Sequence, residues 1–205
     1  MITIVDYGMG NLGAIVNMLE FLGYDAVMTA DPLEISKASK LILPGVGAFD
    51  RAMLNLRRLG FVEPLEHAAF ERKVPTLGLC LGMHLLGRGS AEGNGEPGLG
   101  WVAADTLRID WAAEHGLKVP HVGWNSVSPV AGTPLFAESA EKPRFYFVHS
   151  YYMQCDDRGP VAATCTYGRE FCCAVSQANI HGVQFHPEKS HKHGLALLKT
   201  FAEWN

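Results

Sequence analysis

The chain has 205 residues, of which 48% are hydrophobic and 19% charged, with 22 glycines and a formal net charge of -4. That profile suits one globular domain over residues 1–205 and excludes fibrous and disordered chains. Mild acidity, with no concentrated Lys/Arg surface, argues against broad capture of nucleic acid or of an anionic membrane.

Residues 2–6 form a short β-branched run, and Leu12, Ile15, Val16, Leu19 and Leu22 then recur at helical spacing, so a strand precedes an amphipathic helix. Apolar runs at 24–28 and at Leu41-Ile42-Leu43 end in Asp31-Pro32 and in Pro44-Gly45-Val46-Gly47, each followed by a helix-like segment. Strand and helix alternate, which predicts a parallel sheet. Pro75 to Cys80 is a fourth buried strand, with Leu81, Leu85 and Leu86 opening a helix behind it. After Ser90 the pattern changes to a glycine-rich loop and short strands at roughly 100–109, 144–149, 161–166, 171–176 and 180–185. The last thirteen or so residues return to helix, with Leu195, Leu198 and Phe201 on one side. The fold class is an α/β sandwich with a parallel core and added antiparallel strands.

The start of the sequence lacks a basic n-region and no apolar run lasts about 18 residues, so a cytoplasmic protein without membrane spans is expected. Five cysteines without Cys-x-x-Cys spacing indicate neither a disulfide framework nor a zinc ribbon. Among the nine histidines, His186, His191 and His193 lack metal-ligand spacing, so no metal and no cofactor are expected. Gly8-Met9-Gly10-Asn11-Leu12-Gly13 is a formal G-x-G-x-x-G, but Asp6 and Tyr7 separate it from the strand, and a polar loop meeting a partner protein fits it better.

Gly78-Leu79-Cys80-Leu81-Gly82 sets a cysteine between two glycines where a strand turns into a helix. A turn that sharp exposes a nucleophile only if side chains two residues away are absent. A core cysteine in a glycine-rich turn has the same pattern, so a base must decide. His186-Pro187-Glu188, after the apolar strand Ile180 to Phe185, supplies an imidazole and a carboxylate to orient it. Pro44-Gly45-Val46-Gly47 is either a plain turn or a loop whose N–H groups stabilise an oxyanion.

Seven segments, in order, carry a resemblance: Asp6 to Leu12, Leu43 to Phe49, Gly78 to Met83, Gly98 to Trp101, His121 to Asn125, Tyr146 to Tyr151 and Gly182 to Ser190. Together they resemble the class I, triad-type glutamine amidotransferases and, more narrowly, the glutaminase subunits of imidazole glycerol phosphate synthases. The resemblance implies a three-layer, flavodoxin-like sandwich with a mostly parallel central sheet. It also implies a Cys80, His186, Glu188 triad that hydrolyses glutamine through a glutamyl thioester. Val46, Gly47 and Leu81 would form the oxyanion hole, and Gly45, His84, Glu92, Ser150 and Tyr151 the glutamine site. The ammonia would pass to a (βα)8-barrel synthase subunit in a heterodimer, docked through Asn11, Trp124, Tyr146 and Lys189, as a step of histidine biosynthesis. One departure stands out: the family usually has glutamine where this chain has His84, and an imidazole cannot donate and accept through one amide group. Lys142 to Phe147 and Ser190 to Gly194 also resemble paralogues that supply ammonia to a sugar amidotransferase in surface-polysaccharide biosynthesis. His84 leaves open a further alternative, a non-catalytic partner that only regulates a synthase.

Overall fold

The computed structural model of the chain describes residues 1–136 and 141–204. In chain order the first half alternates: β1 (Ile2–Val5), α1 (Leu12–Phe21), β2 (Ala26–Thr29), α2 (Pro32–Ile35), β3 (Lys40–Gly45), α3 (Phe49–Arg58), α4 (Val62–Glu66), β4 (Thr76–Cys80) and α5 (Leu81–Leu85). Asp31 starts α2 as the sequence suggests: its carboxylate accepts from the Leu33 N–H at 2.9 Å while Pro32 fills the first helical position. The second half is mostly strand: β5 (Ala104–Arg108), β6 (His121–Pro129), β7 (Arg144–His149), β8 (Tyr151–Cys155), β9 (Val161–Tyr167), β10 (Arg169–Gln177) and β11 (Ile180–Val183), before α6 (His191–Glu203).

The strands join in the order β2-β1-β3-β4-β11-β10-β9-β6-β7, with β8 pairing both β10 and β5. From β2 to β11 the neighbours are parallel, and from β11 onward they are antiparallel. The inner parallel strands, β1, β3, β4 and β11, are buried on both faces because helices cover both, while the edge strand β2 stays partly exposed. On one side Ile2, Ile4, Ile42, Leu77 and Leu79 pack with Ile15 and Leu19 of α1 and Leu197, Leu198 and Phe201 of α6. On the other, Val5, Leu41 and Leu43 pack with Phe49, Met53 and Leu56 of α3, Leu65 of α4 and Leu81 and Leu85 of α5. This is the three-layer sandwich expected. Two strands, β6 and β8, stand where the sequence pattern had suggested none. β6 carries Gly123, Asn125, Ser126, Ser128 and Pro129 and no clean alternation of buried and exposed positions, and β8 follows β7 after a single residue, Ser150.

Register places the site. Gly45 of β3 lies level with Cys80 of β4, and Val183 of β11 is level with Leu79, so three parallel strands end together. Loops leaving that carboxyl edge form the crevice where open α/β sheets bind ligands. Among the described residues no helix is long and apolar enough to cross a membrane.

Candidate active site

Cys80 turns the chain from β4 into α5 with φ of +52° and ψ of -106°, in the left-handed half of backbone space where a side chain is strained. The glycines around it are demanded by contact. A methyl on Gly78 would stand 2.6 Å from the Gly82 carbonyl oxygen, and one on Gly82 only 1.8 Å from that of Leu43. The thiol is 8% exposed and opens into a cavity of about 320 Å³. That cavity is lined by Val46, Gly47, Cys80, Leu81, His84, Glu92, Pro120, Val148, His149, Ser150, Tyr151 and His186.

Two residues, Gln184 and Phe185, separate His186 from β11, and the turn Pro187–Lys189 folds Glu188 back beneath it. His186 Nδ1 and Glu188 Oε1 are 2.8 Å apart, with both side chains about 5% exposed or less. Burial alone would pull the imidazole down, but the Cys80 sulfur and the Glu188 carboxylate outweigh it and push the pKa up to about 10. With Nδ1 held by the carboxylate, Nε2 is the nitrogen left for the sulfur, and among the described residues no oxygen or nitrogen partner competes for it. Such a pair sets a sulfur nucleophile beside a group that can take and return a proton. The backbone is fixed as well: His186 N–H donates to Tyr146 O at 2.9 Å, and Ser190 Oγ donates to His186 O at 2.5 Å while accepting from Tyr146 N–H at 3.0 Å. Gly194 lets α6 begin against this turn, where a methyl would stand 1.9 Å from Pro187 O.

Of the oxyanion candidates, Val46, Gly47 and Leu81 all border the cavity. Gly45, expected in the glutamine site, does not line it: it lies beneath, where an added methyl would press on Tyr7 Oη at 2.6 Å, and Tyr7 in turn donates to Pro44 O at 2.6 Å. Glu92 lines the cavity and accepts from the Phe49 N–H at the start of α3, at 3.0 Å. Ser150 and Tyr151 form the opposite wall.

His84 also reaches the cavity, but its Nε2 is held 2.7 Å from Gln184 Oε1, and burial pushes its pKa down to about 4. Gln184, fully buried, points its amide nitrogen at Cys80 Sγ, 3.9 Å away. Two groups had no role assigned from sequence, Gln184 and His149, although both lay inside segments that carried the resemblance. His149 Nδ1–H donates to Tyr151 O at 2.7 Å, which leaves Nε2 to accept from His121 Nδ1–H at 2.9 Å. Burial lowers both, His149 to about 3 and His121 to about 4. Only position relative to the thiol marks such residues, and a linear pattern does not carry it.

Three of the four residues expected at a partner surface gather into one patch. Trp124 and Tyr146 are cross-strand neighbours with ring centres 6.2 Å apart, and Lys189 Nζ lies 5.9 Å from the Tyr146 ring. His191 stacks on Trp124 at 5.4 Å, a contact no sequence pattern announced. Asn11 is exposed at the start of α1, without a side-chain cap bond. Among the described residues no group of three His, Cys, Asp or Glu side chains is arranged to hold a metal, and all five cysteines are free thiols.

Comparison with known proteins bears on this geometry. The family model described as glutamine amidotransferase class-I matches residues 3–203. The imidazole glycerol phosphate synthase subunit HisH 2 of Methanococcus maripaludis is 50% identical over 201 residues, covering 98% of each chain. That of Pseudomonas aeruginosa, also named subunit HisH 2, is 46% identical over 203 residues, 99% of each. Among solved structures, a glutamine amidotransferase superposes with a TM-score of 0.77 at 18% identity, covering 98% of this chain and 97% of its own. At that identity the last likeness speaks for the fold.

Proposed function

The chain belongs to the class I glutamine amidotransferase family, and from that premise we propose that it is a glutaminase feeding ammonia to a (βα)8-barrel synthase partner in histidine biosynthesis. It works as a single domain over residues 1–205, in the cytoplasm, as one half of a heterodimer. The observation that carries the reading is a strained thiol at an elbow, opening on the same cavity as an imidazole whose far nitrogen is pinned by a buried carboxylate.

In this proposal the Cys80 thiolate attacks the side-chain amide of glutamine, and N–H groups of the Val46-Gly47 loop and of Leu81 receive the developing oxyanion. The imidazolium of His186 gives its proton to the departing nitrogen, which leaves as ammonia. The neutral imidazole then takes a proton from water, hydroxide adds to the glutamyl thioester, and glutamate is released with the thiolate restored. Glu188 holds His186 in the tautomer this requires. In this reading Glu92, Ser150 and Tyr151, which line the cavity, hold the glutamine. Two similar relatives named as imidazole glycerol phosphate synthase subunits support the choice of acceptor and partner.

An electrophilic glutamine analogue should label Cys80, read by mass spectrometry, and block glutamine-dependent turnover of the complex while ammonium-dependent turnover survives. No labelling of Cys80 would overturn the glutaminase reading. The surface-sugar alternative separates at the acceptor: a complex that makes no imidazole glycerol phosphate with its barrel partner, yet aminates a sugar, would replace the histidine pathway.

A further inference from the structure

We propose that His84 is a positioning residue for the nucleophile, acting through Gln184, whose amide N–H it holds against the Cys80 sulfur. The inference rests on Cys80 being the nucleophile. His84 Nε2 is 2.7 Å from Gln184 Oε1, and Gln184 Nε2 is 3.9 Å from Cys80 Sγ. Gln184 is fully buried and His84 only 5% exposed, so water does not substitute for either partner.

Only one arrangement of protons suits a thiolate at Cys80. If His84 offered a bare Nε2, Gln184 would turn its NH₂ group toward the ring and its carbonyl oxygen toward the sulfur, where oxygen and thiolate repel. With a proton on His84 Nε2, the amide is held with oxygen toward the ring and N–H toward sulfur. A donor at that place favours thiolate over thiol. Burial keeps His84 to one proton at neutral pH, so the tautomer is not disturbed by a second. The other titratable groups around the sulfur are Tyr7, His149 and His186 with its partner Glu188, and Glu92 across the cavity. None of these donates to the Gln184 amide. The residue that departs from the family's usual glutamine therefore acts behind the nucleophile, its Nε2 committed away from substrate.

The experiment is the pH dependence of Cys80 alkylation by iodoacetamide, followed on the Cys80 peptide by mass spectrometry in the full-length protein. His84→Leu should raise the apparent thiol pKa and slow alkylation at pH 7 by about tenfold, the worth of one donor to a charged group. Its kcat for glutamine should fall with KM nearly unchanged. His84→Gln, which regains a donor, should restore the wild-type titration. Gln184→Met, similar in size and unable to donate, should repeat the His84→Leu result without adding to it in the double variant, and it answers the question if His84→Leu fails to fold. An unchanged thiol titration with a raised KM would overturn the inference and make His84 a substrate contact. Additive effects in the double variant would overturn it too. Because alkylation needs no glutamine, a shifted titration in a chain that never hydrolyses glutamine would sink the proposed function alone.

Discussion

The two halves of the sheet are built differently and contribute differently to the cavity between them. In the parallel half, from β2 to β11, the central strands are short apolar runs with helices on both sides, and their ends are level. That half supplies Cys80, the loop at Val46 and Gly47, and the turn carrying His186 and Glu188. The antiparallel half supplies the facing wall, Pro120 and Val148 to Tyr151, and on its outer side the patch of Trp124 and Tyr146. Rigid strand ends hold reacting atoms, and a more irregular half shapes what meets them. The chemistry sits on parallel strand ends, while recognition is shared, with Lys189 reaching the outer patch from the turn that carries Glu188.

The largest expected effect tests the chemical half. Cys80→Ala should lower glutamine-dependent turnover by on the order of 10⁴-fold or more, with ammonium-dependent turnover of the complex intact. Loss of both would break the division between the halves. Glu188→Gln removes the charge that holds His186, and should cost about 10²–10⁴-fold in kcat with little change in KM. A smaller effect belongs to the other half: Trp124→Ala should weaken binding of the barrel partner by about thirtyfold in titration calorimetry, while alkylation of Cys80 in the isolated chain stays as it was. If the variant slowed alkylation as well, the outer patch would belong to the chemistry. The mildest effect spans both halves. His84 and His181 on one side, and His121 and His149 on the other, are held neutral by burial at pKa values of about 3 to 4, against 6.5 when unfolded. Below about pH 6.5 the unfolded chain takes up protons that the folded chain refuses, so stability present above 6.5 is lost as pH falls toward 4. His186 has the opposite sign: raised to about 10, its contribution is complete below 6.5 and disappears as pH rises through 10. Urea midpoints from pH 7 to 4 should fall, and His181→Leu should flatten that fall by about one proton. Among the described residues His181 has no hydrogen-bond partner at either nitrogen and packs on Trp204 at 3.9 Å, so leucine there orphans no polar group.

Legibility followed the same division. β1, β3, β4 and β11 are apolar runs bounded by turn residues, and Gly78, Cys80 and Gly82 announce an elbow because steric exclusion there acts between residues near in sequence. β6 was hidden because Gly123, Asn125 and Pro129 break its alternation, and β8 because one residue separates it from β7. Within the site, Cys80, His186 and Glu188 were readable as residue types suited to one chemistry at strand ends. Gln184 and the His121–His149 pair were not, since their partners come from strands distant in sequence and register alone brings them together. The departure at His84 was visible, but its contact with Gln184, 100 positions on, was not.

The insertion of β11 between β4 and β10 has a consequence for how the molecule comes into being. Gln184 lies 104 positions after Cys80, so at roughly 5–20 residues per second a ribosome completes the thiol about 5–20 s before the amide and base that tame it. β3 and β4 can pair early, yet the strand that closes the crevice arrives after the whole antiparallel half has been made. A nascent chain holds its nucleophile without the means to use it, and hydrolytic competence arrives only once β11 and the turn behind it have been made.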